Sequence, residues 1–277
     1  MSANTGSANT GSANTGSANT GSQLTLDRYA AEITASTATL AALIGGTDLT
    51  RQVPTCPDWT LRQLATHVGR VHRWVTEMVR TRSAESIPFR SVPDGRFPDD
   101  PAQRPGWLAA GAERLTRELG AAGSGLVWAF GTHRPAGFWA RRMTHETVMH
   151  RADAQLATGA PPVIEPAIAA DGIDEWFTFV TVPDPGREDT RLAGLRPGQS
   201  LHVHAGDVPS GQGEWLITRD NAGIGVRPEH GKGDAALRGP AAGLLLVLTR
   251  RLSPAQAGAE VLGDPEVLRN WLAATPF

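Results

Sequence analysis

Three side chains in this sequence have the types and spacing for metal chemistry. They are His67 on one expected helix, and Glu146 with His150 on another. A helix stacks residues four apart on one face, so Glu146 and His150 can reach a common point. On both segments these polar groups sit on or beside the apolar stripe. A carboxylate and two imidazoles inside a helix bundle are costly unless something compensates them. A divalent cation does so: two imidazole nitrogens and a carboxylate oxygen suit zinc, with a fourth position open for chemistry. Iron(II), nickel or cobalt tolerate the same donors. Spacing alone leaves plainer roles open. A histidine beside an apolar stripe also serves as a hydrogen-bonded core residue, and a Glu–His step also serves as a surface pair. Asp153 is open between accepting a proton from a ligand imidazole and pairing with Arg142 or Arg151 at the surface.

The elements that must position these groups can be read from apolar periodicity. Residues 24–44 form a first helix, stopped by Gly45-Gly46. After a loop with Pro54 and Pro57, Asp58 or Thr60 caps a second helix that runs to about Arg82. Its stripe is Leu61, Leu64, Val68, Val71, Val75 and Met78, with His67 on the edge and Trp74 two turns beyond His67. A Pro-rich connection leads to a third helix near 106–120, and 122–137 is a loop or short extended stretch. The fourth helix spans about 138–158, where Trp139, Met143, Glu146, His150 and Asp153 share one stripe. A fifth follows at about 165–181. Ligands from facing helices are the usual way a bundle builds a metal site.

After Pro183 the pattern changes to short segments between Gly, Asp and Pro turns. Leu201-His-Val-His, 213–218, 223–226 and 235–238 are expected to form a small antiparallel sheet, followed by helices at about 240–251 and 264–273. The expected architecture is α plus α+β. Residues 1–22 are a tail, 23–183 a four-helix metal-binding bundle with its appended helix, and 184–277 a small α+β domain, with a boundary near 183–196. The tail writes SANTG four times. With no charge and no large apolar side chain it is expected to be disordered, or to be left from expression.

Composition narrows the function. A net charge of -2 and a pI of about 6.4 argue against a nucleic-acid partner, which usually meets a basic stripe. No run of about 18 apolar residues is present, so no membrane span is expected. No secretory signal is read at the N-terminus. Lys232, in Gly231-Lys232-Gly233, is the only lysine, which disfavours Schiff-base chemistry. High Arg, Ala, Gly and Pro with so little Lys is the usage of a GC-rich bacterial genome. Cys56 is the only cysteine, which excludes an intrachain disulfide and fits a cytoplasmic setting. In its Pro-flanked turn it reads as structural. His202 and His204 alternate on one strand face without a carboxylate or cysteine in a recognised spacing, and read as exposed or cleft-lining. His145 points about a quarter turn off the ligand face, His72 lies near the core stripe, and Trp59 anchors the start of the second helix.

The segment Cys56-Pro-Asp-Trp-Thr-Leu-Arg-Gln-Leu-Ala-Thr-His67 resembles the opening motif of the mycothiol-dependent maleylpyruvate isomerase family, with Asp58 where glycine is common. Arg142-Met-Thr-His-Glu146-Thr-Val-Met-His150-Arg-Ala-Asp153 resembles its second motif. His204-Ala-Gly-Asp207, Trp215, the run from Gly239, Arg251 and Gly263-Asp264 are similar to its small C-terminal domain. The resemblance covers about 24–277 and implies a DinB-like bundle joined to a sterol-carrier-like domain.

It also implies zinc on His67, Glu146 and His150, mycothiol as thiol cosubstrate, and an actinobacterial, cytoplasmic enzyme. A zinc-lowered thiol pKa gives thiolate at neutral pH. Attack on an electrophilic small molecule then gives either cis-trans isomerisation or S-transfer. Arg251 is expected to act in catalysis and in binding the thiol or substrate carboxyl group, against a plainer role at a helix end. Trp74 is expected to help bind the cofactor. Two other readings stay open: a zinc-dependent hydrolase that needs no thiol, and a non-catalytic protein that binds an apolar ligand. The electrophile and the oligomeric state are left open.

Overall fold

The computed structural model describes residues 24–181, 194–221 and 223–275. The repeat tail lies outside the described residues, as does most of the expected boundary at 183–196. The N-terminal region is built on α1 (Leu26–Gly45), α2 (Leu61–Thr81), α3 (Arg104–Ala122) and α4 (Ala136–Thr158). α1 packs on α3 and α4, and α2 packs on the same two helices, so α2 and α4 are neighbours. That adjacency lets residues 67, 146 and 150 meet.

α2 starts where the sequence signals it. Thr60 accepts from the Gln63 backbone N–H, while the Gln63 side chain accepts from the Thr60 backbone N–H. α4 ends at Gly159, whose left-handed φ of 79° suits glycine. Most of α4 is buried, polar positions included, because it runs between the bundle and the C-terminal domain.

Two hairpins appear, the first where a loop is expected and the second where a loop or short extended stretch is expected. β1 (Gln52–Val53) pairs with β2 (Cys56–Thr60), and β3 (Leu126–Ala129) pairs with β4 (Thr132–Pro135). Proline at 54 and 57 obscures the first, since proline removes a ladder donor. The β1–β2 hairpin carries Thr55, Cys56 and Trp59 up to the start of α2.

α5 (Pro166–Thr181), which the sequence reading keeps with the bundle, shares a core with the C-terminal sheet through Ile168, Ile173, Phe177 and Val180. The sheet contains β5 (Ser200–Ala205), β6 (Glu214–Asp220), β7 (Gly223–Arg227), β8 (Ala235–Gly239) and β9 (Glu260–Gly263), in the order β7-β6-β5-β8-β9. It is mixed rather than antiparallel, because β5 and β8 run parallel. β9 was not expected from sequence. α6 (Ala241–Leu248) and α7 (Pro265–Ala274) pack with α5 against one face of the sheet, where Leu201, Val203 and Ala205 are buried. No described helix is long and apolar enough to cross a membrane.

Candidate metal centre

His67 Nε2 lies 2.8 Å from Glu146 Oε1, and His150 Nε2 lies 3.3 Å from the same oxygen. One donor atom from each residue falls within 4.8 Å of the other two. Donors around a tetrahedral zinc with bonds near 2.0–2.1 Å sit roughly 3.3 Å apart. The spacing and the N₂O donor set therefore fit a divalent cation with little movement. His67 and Glu146 keep partial exposure, whereas His150 is buried. The site thus opens on the His67 and Glu146 side and is closed behind His150.

Each donor is held from behind. His150 Nδ1 is 3.0 Å from Asp153 Oδ2, which commits that nitrogen and leaves Nε2 facing Glu146. Asp153 is fully buried and accepts from Arg251 Nε at 3.1 Å, Arg251 Nη2 at 3.2 Å and the Thr55 hydroxyl at 2.6 Å. The second oxygen of Glu146 accepts from Arg142 Nη2 at 3.2 Å, and Arg142 also donates to Glu175 at 2.6 Å. The Trp59 ring packs on both imidazoles, with centroids 4.8 Å from His67 and 5.7 Å from His150. Phe89 also packs on His67, with ring centroids 6.2 Å apart.

Protonation follows from these contacts. Burial pulls the His150 pKa down, but hydrogen bonds and charge from Asp153 and Glu146 overcome it and hold it at about 9. Burial pushes Glu146 up, but hydrogen bonds from His150 and His67 and the Arg142 charge hold it well below the usual carboxylate range. Asp153, despite its burial, is held down at about 2 by His150 and Arg251. The metal-free cluster therefore holds two carboxylates ionised. Burial and the Asp153 charge push the Cys56 thiol up, against a role as nucleophile.

The Arg251 side chain is 2% exposed, and its Nε and Nη2 lie on Asp153, so the guanidinium sits behind His150. Trp74 donates its indole N–H to the Ile87 carbonyl at 2.9 Å and packs among Phe89, Trp128 and Trp139. It braces Phe89, which in turn meets His67. Asp153, left open from sequence, is buried on His150 and not paired at the surface. Thr55, Arg142, Glu175 and Phe89 were missed, and Trp59 was read only as an anchor. Arg142 stands one helical turn from Glu146, a spacing the sequence does show; the other contacts join positions far apart in the chain, with no local spacing to reveal them. His145 and His72 are both buried, on Asp171 and Thr147 respectively. His202, expected to be exposed or cleft-lining, is buried beside the Glu214 carboxylate.

Two family models match nearly all of the described chain. "Mycothiol maleylpyruvate isomerase N-terminal domain" matches residues 29–155 and "MDMPI C-terminal domain" matches residues 167–270. The chain belongs to the mycothiol maleylpyruvate isomerase family. Its bundle and its α+β domain are the two halves of that family's architecture, and α5 falls in the second half. A model of pentapeptide repeats (8 copies) matches residues 2–25. Among curated proteins no sequence matches this chain. Among solved structures, the chain resembles a mycothiol-dependent maleylpyruvate isomerase with a TM-score of 0.54, at 16% identity over 83% of this chain and 91% of that one. A mutant of a mycothiol-dependent maleylpyruvate isomerase matches with a TM-score of 0.53 at the same identity and coverage. At that identity the likeness is one of fold, and it extends across both domains of this family member.

Proposed function

We propose that this protein holds a divalent cation, zinc foremost, on His67, Glu146 and His150. There it activates mycothiol, or a thiol of the same class, for attack on an electrophilic small molecule. The observation that carries this reading is the single oxygen Glu146 Oε1 facing both His67 Nε2 and His150 Nε2, at 2.8 and 3.3 Å. Family membership across both domains supports the thiol and the reaction class. When bound, the cation supplies Lewis acidity that lowers a thiol's pKa, so that thiolate is available near neutral pH.

The chain's own residues do the rest. Asp153 engages Nδ1 of His150, which leaves Nε2 as the nitrogen that would give up its proton to a cation. Arg142 balances the charge of Glu146 through the oxygen not shared with the imidazoles. Trp59 and Phe89 put apolar rings against His67, which leaves it a quarter exposed. Attack of the thiol on an electrophilic carbon is common to two outcomes. If the new C–S bond persists, the product is a thioether. If it breaks after rotation about a former double bond, the product is a geometric isomer and the thiol returns.

The test is elemental analysis of the purified protein, followed by mycothiol titration with candidate electrophiles and mass spectrometry of the products. About one cation per chain lost in His67→Ala, with thiol-dependent turnover, is the expected result. Turnover that proceeds equally without thiol would replace this reading with metal-dependent hydrolysis.

A further inference from the structure

The outer face of the C-terminal sheet carries a second convergence of donors, sharing no residue with the first. His202 and His204 are two apart on β5, so both project from the same face. Leu201, Val203 and Ala205 point the other way into the core. Glu214 on β6 stands directly across the ladder from His204. His230 comes from the connection after β7. His204 Nδ1 lies 3.0 Å from Glu214 Oε1, His230 Nδ1 lies 3.2 Å from the same oxygen, and His202 Nε2 lies 2.5 Å from Oε2. One donor atom from each of the four residues lies within 4.8 Å of all the others.

The connection that delivers His230 is shaped for close approach. A Cβ on Gly231 would meet Leu216 Cδ2 at 2.8 Å, and one on Gly233 would lie 2.9 Å from the His202 backbone nitrogen. Glycine at 233 lets this segment lie against the His202 backbone, close to where His230 meets Glu214. One carboxylate can neutralise one imidazolium. Three imidazoles gathered on it exceed what a simple ion pair requires, and His202 is nearly inaccessible to water.

We propose that His202, His204, Glu214 and His230 form a second metal site, which takes a divalent cation of zinc type. Three imidazole nitrogens and one carboxylate oxygen fill a tetrahedral shell with protein donors, the pattern of a structural rather than a catalytic site. Nickel, copper(II) and cobalt accept the same donors. The cation ties β5, β6 and the connection after β7 together. This proposal is independent of the bundle site.

The experiment uses untagged full-length protein, stripped with a chelator and titrated with zinc against a chromophoric competitor. Wild type is expected to take up two equivalents, His67→Ala one, His204→Ala one, and the double variant His67→Ala/His204→Ala none. His230 is 77% exposed, so His230→Ala should fold, and it should weaken the second equivalent by more than about 100-fold. In the His67→Ala background zinc should raise Tm, and adding His230→Ala should abolish that rise. Uptake by wild type of one equivalent that His67→Ala removes and His204→Ala and His230→Ala leave intact overturns the proposal. One equivalent that persists in His67→Ala but vanishes in His204→Ala upholds it, and counts against the bundle site instead.

Discussion

Arg251 of the C-terminal domain grips Asp153 of the bundle through two nitrogens, at 3.1 and 3.2 Å, and Asp153 holds the imidazole of His150. The two domains are thus joined by a buried ion pair that also orients a proposed metal donor. Its removal should affect folding and metal affinity together. Breaking a buried pair from one side costs about 3–5 kcal/mol, because the remaining charge is stranded. Arg251→Met should therefore lower stability by about that amount in urea denaturation. Arg251→Lys should lose less, since an ammonium keeps the charge but not the two-point geometry.

Asp153→Asn keeps the size of the side chain but weakens its hold on Nδ1 of His150. Metal affinity should fall by about 10–100-fold, the usual cost of losing an outer partner of a metal-bound histidine. Zinc titration against a competing chelator measures this. Unchanged affinity would mean that the Asp153 contact does not tune the site.

Removing any of the three donors should empty the bundle site. His67→Ala, Glu146→Gln and His150→Ala are each expected to lose about one equivalent of cation, and with it thiol-dependent turnover. Circular dichroism should show that His67→Ala keeps its helices, because His67 lies at the edge of the α2 core. Activity in a folded His67→Ala protein whose bundle site is empty would refute the role given to the cation.

His72 predicts a pH effect on stability. Burial, with the charge of Arg73 adding to it, holds its pKa down at about 3 against an ordinary value near 6.5. The unfolded chain therefore binds a proton below about 6.5 that the folded chain refuses, so this contribution is complete above that pH and declines as pH falls. Between about pH 7.5 and 5 the loss should reach up to about 2 kcal/mol, from about 1.4 kcal/mol per pKa unit. Urea midpoints at the two pH values should move further apart in wild type than in His72→Gln. Equal shifts would show that His72 protonates freely in the fold.

Gly69 sets how closely α2 approaches α3. A Cβ there would lie 2.0 Å from the Trp107 ring, so the ring or the helix must move. Gly69→Ala should lower stability by about 1–3 kcal/mol, the usual cost of overpacking, despite alanine's better helix propensity. Thermal melts decide it; a rise in Tm would mean that Trp107 swings aside at little cost. Since Gly69 is two residues from His67, zinc affinity should be measured alongside.

Local periodicity made much of the protein legible. The stripe from Leu61 to Met78, with Asp58 or Thr60 as the cap, was enough to place α2. The one-turn step from Glu146 to His150 was enough to pair those groups, because a helix relates them by its own geometry. The hairpin at residues 52–60 was hidden by its prolines, and the parallel pairing of β5 with β8 by the lack of any local mark for strand partners. The family's two motifs pointed to the triad.

The sequence by itself determined the helices, the donor types and the turn-by-turn spacing of Glu146 and His150, because these depend on neighbours within a few residues. Tertiary structure alone decided that Arg251 faces Asp153, 98 residues away, and that His230 reaches Glu214. Such contacts depend on how helices and strands stack once their apolar faces are buried, and nothing in a short window of residues records that arrangement.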